Sequence, residues 1–276
     1  MSYISFLIVF EKSQIRIKNF EKIKRQLENN LEKFKAVDCI NEYPKWREFA
    51  LNNGYCSLEY INREVERVST GKLGCNLSHQ ILLENIFKKY GNLNDETNAK
   101  IKDDNSNKNP KWFLILEDDV GVRGTYLEIN NFLETLIRDI EKENCKINNL
   151  EKTGKLEEQH KIQYVQLCIY NQFFAHQVKT PKLFGDTFKK IQQFGTCAYL
   201  IHIDAIEYLC KMRPWTQNID FIYNSLDRQF NSVATFNPHF YCQGTTDAMD
   251  RSNKEYGSLI WENRNVDSML LRNITK

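Results

Sequence analysis

The chain has 276 residues, 41% hydrophobic and 12% aromatic, enough apolar material for a substantial core and a length that suits one large α/β domain or two small ones. Its 38 Lys and Arg against 36 Asp and Glu leave a formal charge of +2, far from the basic excess of a nucleic-acid binder. A mean hydropathy of −0.57, with no apolar run of the ~18 residues a membrane span needs, argues against a transmembrane helix.

Residues 3–10 (YISFLIVF) form an apolar run closed by Glu11 and Lys12. No basic residue precedes the run and no small-residue cleavage site follows it, so it reads as a buried strand rather than a signal peptide. Eight scattered cysteines without a CxxC pair give neither a disulfide framework nor a zinc motif, and a reducing, cytoplasmic setting is expected. Over residues 13–31, Ile17, Phe20, Ile23, Leu27 and Leu31 recur at helical spacing, and a short strand is predicted over 34–37. Strand, helix and strand at this spacing open an α/β unit with a parallel sheet.

A second helix is predicted over 73–90, entered through Thr70 and Gly71. The Asn-, Asp- and Lys-rich stretch 92–110 cannot bury a face and reads as a surface insertion. It leads into WFLIL (112–116), a continuous apolar run typical of a central parallel strand. A helix over 127–141, a second polar insertion over 141–161 and a strand over 162–169 follow. Further on come a strand over 196–201, a helix over 204–212 stopped by Pro214, and a helix over 220–230.

Two features suggest chemistry. Glu117, Asp118 and Asp119 follow WFLIL directly, at the carboxyl end of a strand, where open α/β sheets bind ligands. Three adjacent carboxylates repel one another; they read either as hard oxygen ligands for Mg²⁺ or Mn²⁺, or as a solvated acidic turn capping the next helix. The run Gly74-Cys75-Asn76-Leu77-Ser78-His79 near a helix start either faces a phosphate or sugar, or is an ordinary glycine with a capping serine and a surface histidine.

The two features occur in order. Gly71-Lys72-Leu73-Gly74-Cys75-Asn76-Leu77-Ser78-His79, then Leu114-Ile115-Leu116-Glu117-Asp118-Asp119-Val120, resembles glycosyltransferase family 25, which includes lipooligosaccharide glycosyltransferases and collagen galactosyltransferases. The segment 195–201 (GTCAYLI), Asp204-Ala205, Ile219-Asp220 and the early Ala36-Val37-Asp38 agree with it. The resemblance implies a GT-A fold, Rossmann-like with a mostly parallel central sheet. It implies a single domain over 1–276, with 1–125 mainly binding the nucleotide sugar and 126–276 mainly the acceptor.

The implied activity is inverting transfer of a hexose, galactose or glucose, from a UDP-sugar to a hydroxyl of a glycan or hydroxylysine-type acceptor. Mn²⁺ (or Mg²⁺) is the implied cofactor. Glu117 and Asp119 are the implied metal ligands, joined by Gln243 or by His239, since Gln243 stands where related domains carry a histidine before a glycine. Asp38, Gly74, Ser78, His79 and Asp118 are placed on the donor. Asp220 is the first candidate for the base, with Asp247 and Asp250 in reserve, although Asp220 also reads as a helix N-cap. A catalytically silent relative that binds a sugar nucleotide or glycan is the alternative. A phosphotransferase is disfavoured, since the chain carries no P-loop.

Overall fold

The computed structural model describes residues 2–28, 30–91, 110–152, 161–168, 196–225, 231–234 and 239–242. The apolar runs read from the sequence form the middle of a six-stranded sheet. Strand β1 (Tyr3–Val9) is followed by α1 (Gln14–Gln26) and β2 (Leu31–Lys35). Next come α2 (Tyr43–Asn52), a short α3 (Leu58–Tyr60) that widens into a π-helical turn (Ile61–Val65), and the long α4 (Gly71–Tyr90). Then follow β3 (Trp112–Glu117), β4 (Val120–Val122), α5 (Tyr126–Lys152) and β5 (Ile162–Gln166). The described chain closes with β6 (Ala198–His202), α6 (Ile203–Lys211), α7 (Ile219–Ser225), β7 (Asn231–Ala234) and β8 (Phe240–Cys242).

The sheet order is β2-β1-β3-β6-β5-β7. All neighbours run parallel except β6, which is antiparallel to both β3 and β5. Strand β3 is buried on both faces, which is why its sequence is an unbroken apolar run. Its alternate residues divide between two cores. Trp112, Leu114 and Leu116 pack with Phe20 and Ile23 of α1 and with Ile129 and Leu133 of α5. Phe113 and Ile115 pack with Leu82 and Ile86 of α4 and with Ile206 and Leu209 of α6. Burying each such side chain contributes about 1.5–3 kcal/mol. A third cluster joins α2 and α3 to the first half of α4 through Ala50, Tyr60, Leu73 and Leu77.

This arrangement is the mixed α/β class with a mostly parallel sheet that the sequence predicts. Two details differ. Helix α5 continues to Lys152, through half of the stretch expected to be a polar insertion, because it needs only one inward face. That face carries Ile140 and Ile147, both buried, and Asn144, which exchanges hydrogen bonds with the backbone N–H and C=O of Ile162 at 2.8 and 2.9 Å. The second difference is α2 and α3, in a stretch where the sequence reading placed no element. Residues 92–109, 153–160 and 226–230 of the predicted insertions and last helix lie outside the described residues. No helix among the described residues is long and apolar enough to cross a membrane.

Because β1, β2 and β3 are parallel, their carboxyl ends meet at one edge and bring Phe10, Val37 and Glu117–Asp119 together. The antiparallel β6 begins at that same edge: Glu117 N–H donates to the Cys197 carbonyl at 2.9 Å. Thr196 arrives there from the opposite chain direction.

Candidate active site

The acidic turn is held by the first helix. Ser13 caps α1, which places Arg16 in its first turn beside the end of β1. One Asp118 oxygen accepts from the Phe10 backbone N–H at 2.7 Å, and the other lies 3.0 Å from the Arg16 guanidinium. The same Arg16 nitrogen is 3.9 Å from Asp119. Asn19 donates to the carbonyls of Asp118 and Val120, both at 2.9 Å, and so brackets Asp119. Burial raises the pKa of the Asp118 carboxyl above its ordinary value, and Arg16 with the Phe10 N–H offsets only part of that. Mutual repulsion in the acidic run is thus met by a buried arginine from within the chain.

Glu117 belongs to a different network. Tyr223 donates to the Tyr199 hydroxyl at 2.8 Å, and Tyr199 lies 2.7 Å from His79 Nδ1. His79 Nε2 lies 3.0 Å from Glu117 Oε1, which also accepts from the Thr196 hydroxyl. An ionised carboxylate can only accept, so Nε2 carries the imidazole proton and Nδ1 accepts from Tyr199. Burial pushes Tyr199 and Tyr223 well above 10, so both hydroxyls remain donors. His79 is 1% exposed. It is therefore the buried middle of a relay, not a surface residue.

Ser78 is not a cap either. It lies mid-helix, where it donates to the Gly74 carbonyl at 2.6 Å and accepts from the Val37 N–H at 2.8 Å, tying α4 to the chain after β2. Gly74 permits that contact, because a Cβ there would stand 2.8 Å from the Val37 carbonyl oxygen. The next residue, Asp38, is 8% exposed. It lies 2.6 Å from Lys12 Nζ and accepts from the Asn41 backbone and side chain. Burial works to raise its pKa, but Lys12 and Asn41 outweigh that and hold it below the ordinary carboxylate value.

Gly74, Ser78, His79, Glu117, Asp118 and Asp119 line one cleft of about 640 Å³, counting its open mouth; Val37 and Cys39 line it too, whereas Asp38 between them does not. Asp220 approaches from α7. After burial itself, the charges of Glu117, Asp220 and Asp119 are what push the Cys75 thiol upward. Asp220 is the second residue of α7 and not its N-cap: the carbonyl of Asn218 accepts the first helical bonds, from Phe221 and Ile222. Asn76, itself buried, anchors this helix by accepting from the Ile219 N–H at 2.8 Å and donating to the Gln217 carbonyl at 3.0 Å.

The structure does not bring His239 to the acidic turn. Strand β8 runs antiparallel to β4, with Val120 opposite Cys242 and Val122 opposite Phe240. His239 therefore pairs with Arg123, whose carbonyl is 3.0 Å from its Nδ1, four residues or about 13 Å along the strand from Asp119. Gln243, Asp247 and Asp250 lie outside the described residues. A hard cation fits this donor set in part. Glu117 and Asp119 place carboxylates in the cleft lining, with Glu117 Oε1 shared by His79 and Thr196 and Asp119 3.9 Å from Arg16, and both oxygens of Asp118 are engaged by Arg16 and Phe10. Sequence reasoning missed Arg16, Lys12, Cys75, Thr196 and Tyr199. For Arg16 the signal is its place three residues after a capping serine, just past the first strand.

A mostly parallel α/β sheet with an acidic turn and a polar cleft at the strand carboxyl ends defines the class: an α/β protein with a cleft where open α/β sheets bind ligands. The model of glycosyltransferase family 25 (LPS biosynthesis protein) matches residues 3–223, and the chain belongs to this family and is a glycosyltransferase. No curated protein matches it. One similar solved structure is a glycosyltransferase involved in the glycosylation of the major capsid of PBCV-1. It shares 13% identity over 82% of this chain and 67% of the other, with a TM-score of 0.30.

Proposed function

We propose that this glycosyltransferase moves a hexose from a UDP-sugar to a hydroxyl of a glycan or hydroxylysine-type acceptor, with a divalent cation and with inversion at the anomeric carbon. The observation that supports the reading is that Glu117 and Asp119 line one cleft at the carboxyl ends of three parallel strands, with Val37, the neighbour of Asp38, in the same lining. Asp38, held ionised, suits a ribose or base donor group. Asp119 and Glu117 would hold Mn²⁺ or Mg²⁺, and Gln243 remains in the proposed ligand set. When bound, such a cation offsets the charge that builds on the departing diphosphate.

The chain's own residues do the rest. Asp118 is the anchor of the turn, and Arg16 the counter-charge that keeps three carboxylates together. Asp220 takes the proton from the acceptor hydroxyl as it attacks. It stands inside α7, one residue after Ile219, and Asn218 holds the cap position.

The test is thermal stability against UDP-, GDP- and CMP-sugars, each with and without Mn²⁺, since a ligand of the native state raises the midpoint by mass action. A shift with a UDP-sugar that grows with Mn²⁺, and loses that growth in Asp119→Ala, is expected. Equal shifts with and without Mn²⁺ in both proteins would remove the cation from the reading. In Asp220→Asn, turnover should fall about 10²–10⁴-fold with little change in donor affinity, the range typical of a lost general base.

A further inference from the structure

We propose that the floor of the cleft holds a second cation site, made of Cys75, His79 and Glu117, which takes a thiophilic divalent ion of the Zn²⁺ type. The site shares Glu117 with the acidic turn of the sugar-transfer reading, but a thiolate-to-metal signal is read without sugar transfer, so the failure of one is distinguishable from the failure of the other. One ligand atom from each of the three residues lies within 4.8 Å of the other two. In a tetrahedral zinc site, bond lengths of about 2.0–2.3 Å set ligand atoms about 3.3–3.7 Å apart, so small side-chain rotations close the set. Cys75 and His79 are four residues apart on α4 and lie one above the other on the same helical face. Glu117 meets them from the end of β3, so all three ligands stand on regular elements.

The surroundings have the character of an outer shell. Tyr199 sits at the far nitrogen of His79, and Thr196 donates to Glu117, which is how metal-binding histidines and carboxylates are usually oriented. The carboxylates of Glu117, Asp220 and Asp119, which disfavour a bare thiolate at Cys75, create a field that favours a dication there. Cys75 and Glu117 both line the cleft, leaving a fourth position open to water or to a phosphate oxygen of a substrate. The sulfur distinguishes this site from the all-oxygen acidic turn and selects softer ions over Mg²⁺.

Binding breaks the Cys75 S–H bond, with the proton passing to solvent, and forms a sulfur–metal bond. The His79 proton moves from Nε2 to Nδ1, which then donates to the Tyr199 oxygen; the Tyr199 hydroxyl turns to donate to the Tyr223 oxygen in its place, and the freed Nε2 lone pair binds the ion. Cysteine spacing conceals the site, because one thiol is combined with a helical histidine and a strand-end carboxylate.

The test uses the full chain, metal-free, titrated with Co²⁺ and then chased with Zn²⁺. The expected result is one equivalent bound with a near-ultraviolet thiolate-to-cobalt band, which is displaced by Zn²⁺ and absent in Cys75→Ser. Zn²⁺ affinity should fall at least ~100-fold in Cys75→Ser, and about 10–100-fold in Tyr199→Phe, which alters only the outer shell. Glu117→Gln gives a second inner-shell variant should the serine protein misfold. Absence of Co²⁺ binding, binding without the thiolate band, or a band that survives Cys75→Ser would each overturn the proposal.

Discussion

Replacing Gly74 by alanine separates a local from a tertiary account of helix α4. In an isolated helix, Gly→Ala is stabilising by about 0.8–1 kcal/mol. In this fold the new Cβ would stand 2.8 Å from the Val37 carbonyl oxygen, a backbone atom that cannot rotate away. Relief requires α4 to move off the chain after β2, and overpacking of this kind costs about 1–3 kcal/mol. The same movement strains the Ser78 bridge between the Gly74 carbonyl and the Val37 N–H, a further ~0.5–1.5 kcal/mol. The net expectation is destabilisation by about 1–3 kcal/mol, at roughly 2–4 °C in the thermal midpoint per kcal/mol for a chain near this size. Asp38 follows Val37 directly, so affinity for the proposed UDP-sugar donor should fall along with the midpoint. Thermal and urea unfolding, with ligand-induced shifts measured alongside, test both effects. A Gly74→Ala protein more stable than the parent would refute the packing argument.

Arg16→Met should cost about 3–5 kcal/mol in urea unfolding, because it strands the buried Asp118 carboxylate, and the double variant with Asp118→Asn should recover part of that loss; a single-variant cost under ~1 kcal/mol would contradict it. Tyr199→Phe leaves both the Tyr223 hydroxyl and His79 Nδ1 short of a partner and should cost about 1–3 kcal/mol, with no change expected on the opposite face of the sheet as read by hydrogen exchange. Glu84 is worked upward by burial but held down to about 2 by Lys88, Tyr55 and Arg213. A depressed folded pKa means that its contribution is complete above the unfolded value near 4.5 and fades as pH falls toward about 2. Paired acid titrations should therefore show the parent's advantage over Glu84→Gln shrinking across that window, and a constant difference would contradict the linkage.

Strands β1, β3, β5 and β6 and most helices were legible because their partners are interchangeable apolar surfaces: any sheet neighbour suffices to bury YISFLIVF or WFLIL. Helix α2 escaped notice because it buries only Ala50 fully and so leaves little periodicity. Helix α5 was cut short at Glu141 because one inward face of Ile140, Asn144 and Ile147 is too sparse to stand out among charges. The acidic turn was visible as a run of like charge, and Gly74, Ser78 and His79 as a cluster. Their roles were not visible, since each is decided by a residue far along the chain. His79 is defined by Tyr199, Ser78 by Val37, and Asp118 by Arg16. Asp220 could be read as a cap until Asn218 was seen to hold that position. His239 was the substitute for Gln243 as a ligand, and the register of β8 against β4 places it beside Arg123, away from the turn.

The position of β6 bears on how the molecule is made. The strand that completes the centre of the sheet, between β3 and β5, is synthesised late, 85 residues after the end of β3. At about 5–20 residues per second, β3 waits roughly 4–17 s on the ribosome with one edge unpaired. During that interval WFLIL is an exposed apolar edge strand open to mispairing with another nascent chain. The long-range closure also makes for slow folding, since loop entropy is lost before any sheet contact is gained. Production of this enzyme should therefore be sensitive to translation rate and chaperone supply over the stretch between β3 and β6.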